Sequence, residues 1–162
     1  MKVKEQVHLL GMAPESGLEA LKAFLAQQAS NPILDTYQQS DIRCCIVHSL
    51  DGYDEVSLTS GFKYIMDGVE RIVTPEEFGY PQTAPDALSG GGSVQEASVI
   101  FKNILEGKGT EAQVSVVLAN AELALRCYFP SRSAEDCREL AKDALYSGKA
   151  HQAFKKLIDI QI

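Results

Sequence analysis

The spacing of apolar and polar positions in the first quarter of the chain changes from a strand period to a helix period. Residues 5–12 alternate weakly and predict a strand. A helix should follow, because Ser16 and Glu19 have the spacing of a capping box and leucines then recur on one face; we expect it to end near Gln28. Residues 29–41 show no clear period and predict a loop. This loop is long for a tight α/β connection, so it is a candidate for a remodelled junction.

Residues 42–48 are β-branched and apolar on both faces, which is typical of a central strand covered by helices on each side. Together with the preceding strand and helix, this strand makes a predicted βαβ unit, whose crossover is right-handed in nearly all cases. Residues 62–66 and 69–73 flank the Asp67–Gly68 dipeptide, which favours a tight hairpin. The pattern therefore predicts a mixed sheet.

From Ser93 onward the pattern is helical. Ser93 and Thr110 are followed three residues later by Glu96 and Gln113, which is the spacing of a capping box. Further helix boundaries are expected at Gly107, Pro130, Ser133 and Gly148. The stripes expected to be buried are Val94, Ala97, Phe101, Ile104 and Leu105; Val114, Val117, Leu118, Ala121 and Leu125; and Cys137, Leu140, Ala141, Ala144 and Leu145. The last helix carries Ala153, Phe154, Leu157 and Ile158.

These elements predict an α/β fold: a partial mixed sheet with a βαβ unit and an antiparallel hairpin, followed by a C-terminal group of helices. The 162 residues fit one domain, residues 1–162, and a composition of 45% hydrophobic and 23% charged residues is that of a folded globular protein. The net charge of −7 and the scattered Lys and Arg residues argue against nucleic acid or an anionic membrane as a partner. No apolar run approaches membrane-spanning length and the N-terminus lacks a signal-peptide core, so we expect a cytoplasmic protein.

The cysteines and histidines show no metal-site spacing. Cys44 and Cys45 are adjacent in a predicted strand and point to opposite faces, while Cys127 and Cys137 lie far along the chain. This arrangement favours buried free thiols over a zinc or disulfide framework. Of the three histidines, only His48 lies beside a group of acidic residues, so it is the one worth testing.

That group is a loop with three carboxylates, which follows the apolar strand at residues 42–48. Adjacent Asp54 and Glu55 suit Mg²⁺, which prefers hard oxygen ligands and usually keeps several waters. Ligands in open α/β sheets bind at this carboxyl end of the strands. The alternative is a solvated turn without a metal, in which Asp51 and Gly52 supply the turn geometry. Both interpretations stay open on these residues alone.

Several separate segments resemble one enzyme family, in the same order and at similar spacing. From about residue 42 to residue 160 the chain resembles the C-terminal half of anthranilate phosphoribosyltransferase. The matching segments are residues 46–59, 74–79, 88–91, 118–121 and 144–150. The resemblance implies transfer of ribose 5-phosphate from phosphoribosyl pyrophosphate to anthranilate in tryptophan biosynthesis, with Mg²⁺ held by Asp54 and Glu55. Within this motif we interpret Asp51 as a group that fixes the loop, or that supports the metal ligands from behind, rather than as a ligand itself.

The chain also departs from the family. It has no glycine-rich loop of the Gly-Thr-Gly-Gly-Asp type, and its glycine triplet at residues 90–92 precedes a helix where the family carries glycines of no catalytic role. We therefore expect a phosphoribosyltransferase-like chain that is inactive alone, that meets phosphoribosyl pyrophosphate and anthranilate only when the missing half is supplied, and that forms a homodimer or pairs with a complementing chain. The alternative is a non-catalytic folded fragment or self-associating remnant with at most weak Mg²⁺ binding. In either case two carboxylates without substrate phosphates leave most Mg²⁺ ligands to water, so we expect Mg²⁺ binding that is weak, on the order of millimolar or weaker, or that depends on substrate.

Glu122 is a further departure. It stands in a segment, residues 119–124, where the family usually carries small apolar residues. A buried carboxylate without a partner costs several kcal/mol. We therefore expect Glu122 to be exposed.

Overall fold

The computed structural model describes residues 8–11 and 43–160. It divides between Gly79 and Tyr80 into two compact units, here called the sheet unit and the helical unit. The predicted helix that starts at Ser16 and the predicted loop at residues 29–41 lie outside the described residues. The expectation of a single domain over residues 1–162 stays a prediction.

The sheet unit contains β1 (His8–Gly11), β2 (Cys44–Ser49), β3 (Phe62–Met66) and β4 (Val69–Val73). These strands hydrogen-bond in chain order. β1 and β2 are parallel, which requires a crossover connection, and the pairs β2–β3 and β3–β4 are antiparallel. The predicted mixed α/β fold is therefore confirmed.

Local sequence explains the hairpin between β3 and β4. Asp67 and Gly68 both have positive φ, at 52° and 74°, as a two-residue hairpin turn of this hand requires. Arg43, just before β2, donates to both carboxylate oxygens of Asp67 through its Nε and terminal nitrogens. The hairpin bounds agree with the sequence prediction at both ends.

The core of the sheet unit lies on one face of β2 and β3. Cys45, Val47 and Ser49 are buried while the residues between them are half-buried, so β2 alternates instead of being equally buried on both faces. Phe62 on β3 is fully buried and meets the ring edge of Phe78 at 5.1 Å between centroids. Phe78 belongs to a short helix, α1 (Pro75–Phe78), which a reciprocal capping box at residues 74 and 77 initiates.

The helical unit contains a short 3₁₀ helix (Pro85–Leu88), α2 (Val94–Leu105), α3 (Glu111–Tyr128), α4 (Ala134–Tyr146) and α5 (Lys149–Ile160). The predicted N-caps hold: Ser93 accepts from the Glu96 amide, and Thr110 and Gln113 form a capping box. Gly148, with φ of 78°, follows the end of α4 as predicted. Within the described part of the chain, no helix is long and apolar enough to cross a membrane.

The helical core lies between α3 and α4. Its buried apolar side chains are Val114, Leu118, Ala119, Leu123, Cys127, Cys137, Ala141 and Leu145. Three of the four free thiols, Cys45, Cys127 and Cys137, are buried and Cys44 is half-buried, which agrees with the thiol prediction.

The prediction of a buried stripe on α2 was wrong. Val94 is 81% exposed and Phe101 is 46% exposed, and Ala97 between them is also exposed. Phe101 meets Phe154 of α5 at 4.9 Å between ring centroids, but α2 has no fully buried residue. Periodicity identified the apolar face of this helix without showing that a neighbour covers it.

Candidate functional site

The loop between β2 and β3 starts with a tight turn. The Gly52 amide donates to the Ser49 carbonyl at 3.0 Å, and the Ser49 amide donates to the Tyr53 carbonyl at 2.8 Å. Gly52 has a φ of 95°, which favours glycine at this position. Leu50 closes the base of the loop, because its amide donates to the Gly61 carbonyl at 2.9 Å. The turn places residues 53–55 beyond the carboxyl end of β2.

Asp51 lies inside this loop and accepts two side-chain hydroxyls. The Ser57 Oγ lies 3.2 and 3.4 Å from its two carboxylate oxygens, and the Thr59 hydroxyl bonds to Oδ2. Both donors come from the chain segment that returns toward β3. Asp51 therefore links the two sides of the loop, which fits the loop-fixing role that we expected for it.

Ser49 makes a second link across the loop. Its side chain is fully buried, and its Oγ donates to the Glu55 carbonyl and accepts from the Ser57 amide at 3.2 Å. Residues 56–58 are buried behind it. The main chain of Glu55 is thus joined to the last residue of β2.

Asp54 and Glu55 project from the loop with their carboxylates exposed. The Asp54 side chain is 53% exposed, and its Oδ1 lies 3.9 Å from His48 Nδ1. Among residues 43–160, no lysine or arginine forms an ion pair with either carboxylate. Exposed carboxylates are ligands of the kind that a hard cation such as Mg²⁺ prefers.

These carboxylates fit only part of a metal's coordination shell. Within the described ranges, no group of three or more His, Cys, Asp and Glu side chains could hold a metal ion. Mg²⁺ is commonly bound through one or two carboxylates, with waters and substrate phosphates as the remaining ligands. Asp54 and Glu55 therefore fit a Mg²⁺ ion that a phosphorylated substrate helps to hold.

The glycine triplet at residues 90–92 does not offer an open phosphate cradle. The Gly92 amide donates to the Glu96 carboxylate at 2.7 Å, and the Gly91 amide lies 3.4 Å from Ser89 Oγ. The Gly92 amide, which could otherwise donate to a phosphate oxygen, therefore already donates to the Glu96 carboxylate. The non-catalytic role expected for the triplet stays a prediction.

Glu122 corrects our prediction, because it is fully buried on α3 and not exposed. Its carboxylate accepts from Tyr80 Oη at 2.8 Å and from Arg138 Nε at 2.8 Å, and it also pairs with Arg126 one turn along α3. Arg138 also stacks over the Tyr80 ring, 5.2 Å from its centroid. The prediction failed because it assumed a carboxylate without partners.

Burial and the Glu122 carboxylate raise the pKa of the Tyr80 hydroxyl, so this group stays protonated as a donor. The hydrogen bond to Glu122 raises the pKa of Arg138. We call Tyr80, Glu122, Arg126 and Arg138 the Glu122 cluster. The i,i+4 spacing of Glu122 and Arg126 was a sequence signal for an ion pair, whereas Tyr80 and Arg138 lie 42 and 16 residues away.

Comparison with known proteins gives a family match over most of the chain. Residues 10–151 match the sequence model described as glycosyl transferase family, a/b domain. Anthranilate phosphoribosyltransferase of Bacteroides fragilis is 45% identical over 125 residues, which are 77% of this chain and 38% of that protein. The same enzyme of Christiangramia forsetii is 46% identical over 121 residues, 75% of this chain and 36% of that protein.

Solved structures give the same fold. Anthranilate phosphoribosyltransferase from Saccharomyces cerevisiae, in complex with PRPP and Mg, has a TM-score of 0.75 at 16% identity, covering 94% of this chain and 40% of that one. The enzyme from Thermus thermophilus has a TM-score of 0.64 at 23% identity, covering 80% and 39%. The chain thus spans about two fifths of the length of the relatives that it matches, and the resemblance found in the sequence is confirmed.

Proposed function

Because this chain belongs to the glycosyl transferase family with an a/b domain, we propose that it supplies the metal-binding part of an anthranilate phosphoribosyltransferase. The overall reaction would transfer ribose 5-phosphate from phosphoribosyl pyrophosphate to anthranilate, a step of tryptophan biosynthesis. The observation that carries this proposal is the pair of exposed carboxylates, Asp54 and Glu55, beyond the carboxyl end of β2. Ligands of open α/β sheets bind at this end.

Asp54 and Glu55 would hold Mg²⁺ together with waters and the diphosphate of the substrate. When bound, the ion would neutralise the charge that develops on the leaving diphosphate. The two carboxylates would hold the ion, and the links through Asp51 and Ser49 hold the main chain of these residues in place. His48 also lies beside the proposed ligands, because its Nδ1 is 3.9 Å from Asp54 Oδ1.

A direct test of the metal site is the binding of Mn²⁺ alone, measured by electron paramagnetic resonance on the purified chain. The double variant Asp54→Asn/Glu55→Gln removes both charges and should weaken Mn²⁺ binding at least about tenfold, since two nearby charges are worth more than 1.4 kcal/mol. The control Asp86→Asn/Glu111→Gln removes the same charge from exposed positions of the helical unit and should change nothing. Equal Mn²⁺ binding by both double variants would contradict the assignment.

We also propose that the purified 162-residue chain is inactive by itself. The chain covers 38% of its Bacteroides fragilis relative, and its only glycine triplet has an amide committed to Glu96. Backbone donors for the diphosphate contribute much of the electrostatic stabilisation in reactions of this kind. The measurement is the fall in anthranilate fluorescence with phosphoribosyl pyrophosphate and Mg²⁺. We expect no turnover, and turnover by the chain alone would refute this part of the proposal.

A second candidate role is self-association, which the exposed apolar side chains of α2 and α5 favour. Val94 and Phe101 on α2, with Leu157 on α5, are between 46% and 81% exposed. Exposed apolar surfaces of this kind often mark contacts with other chains. We propose that a second copy of the chain covers them.

The cytoplasmic location expected from the sequence stays a prediction.

Sedimentation equilibrium tests the second role. The wild-type chain should sediment as a dimer, and Val94→Ser/Leu157→Ser should sediment as a monomer. Ile72→Ser is the matched control, because Ile72 is 57% exposed but lies in the sheet unit. A monomeric wild-type chain at high concentration, or a dimer that survives the double substitution, would contradict the proposal.

A further inference from the structure

We infer that Asp51, Ser57 and Thr59 form a positioning unit for the proposed metal ligands. We call these three residues the hydroxyl clamp. The inference rests on the proposed function, because it concerns how the chain holds Asp54 and Glu55. None of the three clamp residues would touch the metal or a substrate; they act through the loop that carries the two carboxylates.

The Asp51 carboxylate is the acceptor of the clamp. An ionised carboxylate only accepts hydrogen bonds, and here it accepts the hydroxyl protons of Ser57 and Thr59. Ser57 Oγ also accepts from the Thr59 amide at 3.3 Å. Because both donors come from the same loop, the Asp51 carboxylate makes its hydrogen bonds within the protein. This distinguishes it from Asp54 and Glu55, which have no such donors among the described residues.

The backbone conformation of Leu58, between Ser57 and Thr59, brings the two hydroxyls together. Leu58 has a φ of 59° and a fully buried side chain. A leucine adopts this left-handed conformation only when surrounding contacts fix it. In an extended strand the side chains of residues i and i+2 point the same way but stand nearly 7 Å apart, at about 3.3 Å per residue. The turn at Leu58 instead brings Ser57 Oγ and Thr59 Oγ1 within 2.9 Å, so both reach one carboxylate.

Hydrogen bonds on both sides of the proposed ligands close the loop. On one side Asp51 is joined to Ser57 and Thr59, and on the other the Glu55 carbonyl is joined to Ser49 at the end of β2. Residues 52–55 therefore lie between two fixed points, although the side chains of Asp54 and Glu55 remain exposed. A metal ion that binds this loop finds its ligands already ordered, which reduces the entropy lost on binding.

The test is removal of one hydroxyl of the clamp. Thr59→Val keeps the shape of the side chain but removes the donor, whereas Thr59→Ser keeps the donor. Thr83→Val is the matched control, because Thr83 lies in the helical unit and, among the residues that the structure describes, its hydroxyl makes only a 3.5 Å contact with the Pro81 carbonyl. Two quantities are measured: amide hydrogen exchange of residues 52–56 without metal, and Mn²⁺ affinity by electron paramagnetic resonance.

We expect Thr59→Val to speed exchange in residues 52–56 by about tenfold, since local opening governs exchange at a loop. Its Mn²⁺ affinity should fall between about threefold and tenfold, less than for a partner bonded directly to a ligand. Thr59→Ser should restore both quantities, and Thr83→Val should match wild type. If Thr59 only stabilised the fold as a whole, Thr59→Val would speed exchange throughout the sheet unit and not only in residues 52–56.

The two arms separate this inference from the proposed function. If wild type binds Mn²⁺ through Asp54 and Glu55 but Thr59→Val leaves both affinity and exchange unchanged, the clamp is refuted and the metal site stands. If wild type binds Mn²⁺ neither alone nor in the presence of phosphoribosyl pyrophosphate, the metal site is refuted, and the exchange arm decides the clamp alone. In that case faster exchange in Thr59→Val, reversed in Thr59→Ser, supports the clamp, and unchanged exchange overturns it.

Discussion

Replacing Glu122 with glutamine should cost far more stability than replacing an exposed glutamate of the helical unit. Glu122 is 0% exposed, and its carboxylate receives Tyr80 Oη and two guanidinium groups. Glutamine has nearly the same volume, so Glu122→Gln leaves no cavity. It does remove the negative charge and place an NH₂ donor next to the guanidinium groups of Arg126 and Arg138, which need an acceptor.

The magnitude follows from the burial of the partners. Removing one member of a buried ion pair costs about 3–5 kcal/mol, because the remaining charge stays buried without compensation. The Arg126 and Arg138 side chains retain 21% and 18% exposure, so water screens part of the loss. We therefore expect about 3 kcal/mol, the lower end of that range. For a urea slope of about 2 kcal/mol per molar, the midpoint should fall by about 1.5 M.

The assay is urea unfolding followed by far-ultraviolet circular dichroism, which reports mainly on α2 to α5. Glu139→Gln is the control: Glu139 is on α4 and pairs with Lys142 at 2.7 Å, but its side chain is 58% exposed. An exposed pair contributes about 0–1 kcal/mol. If Glu122→Gln and Glu139→Gln unfold at the same midpoint, the Glu122 cluster does not stabilise the helical unit and the reasoning is refuted.

Two further predictions concern the sheet unit and the thiols. Arg43 lowers the pKa of Asp67 below 3.8, so the pair stabilises the hairpin above that pH and loses its effect as pH falls through the folded pKa. Hydrogen exchange in β3 and β4 should therefore be faster in Asp67→Asn than in wild type at pH 7, with a difference that shrinks in acid; a difference independent of pH would count against the pair. Cys44 alone of the four thiols should react with a disulfide reagent in the native chain, because the other three are buried and burial raises the pKa of Cys137. Rapid native reaction of two or more thiols would show that the core opens.

Elements whose signals are local were predictable from the sequence. The hairpin at Asp67–Gly68 and the caps at Ser93 and Thr110 depend on residues within a few positions of each other. Tertiary contacts can override local preferences, but in these elements the tertiary contacts and the local preferences favour the same structure. The strand that precedes the acidic loop was also predictable, because its apolar β-branched residues leave few alternatives.

Two predictions failed because they depended on distant parts of the chain. The apolar stripe at Val94 and Phe101 has the correct helical period, but the period does not show whether another element covers it. Glu122 was expected at the surface because its partners Tyr80 and Arg138 come from other segments. The acidic pair Asp54–Glu55 could be identified from the sequence as a candidate site. The roles of Ser57 and Thr59 could not, because they depend on the left-handed backbone of Leu58, which no sequence pattern predicts.

The central claim is that Asp54 and Glu55 supply metal ligands to a phosphoribosyltransferase. The most direct test is a chimaera of the Bacteroides fragilis relative, in which the segment aligned with 125 residues of this chain is replaced by those residues. We expect the chimaera to convert anthranilate and phosphoribosyl pyrophosphate with Mg²⁺. Asp54→Asn/Glu55→Gln in the chimaera should lower kcat/KM by about a hundredfold or more, which is close to 3 kcal/mol of transition-state stabilisation. Asp86→Asn/Glu111→Gln should leave kcat/KM unchanged. A folded chimaera without activity, or one whose activity survives loss of both carboxylates, would contradict the account.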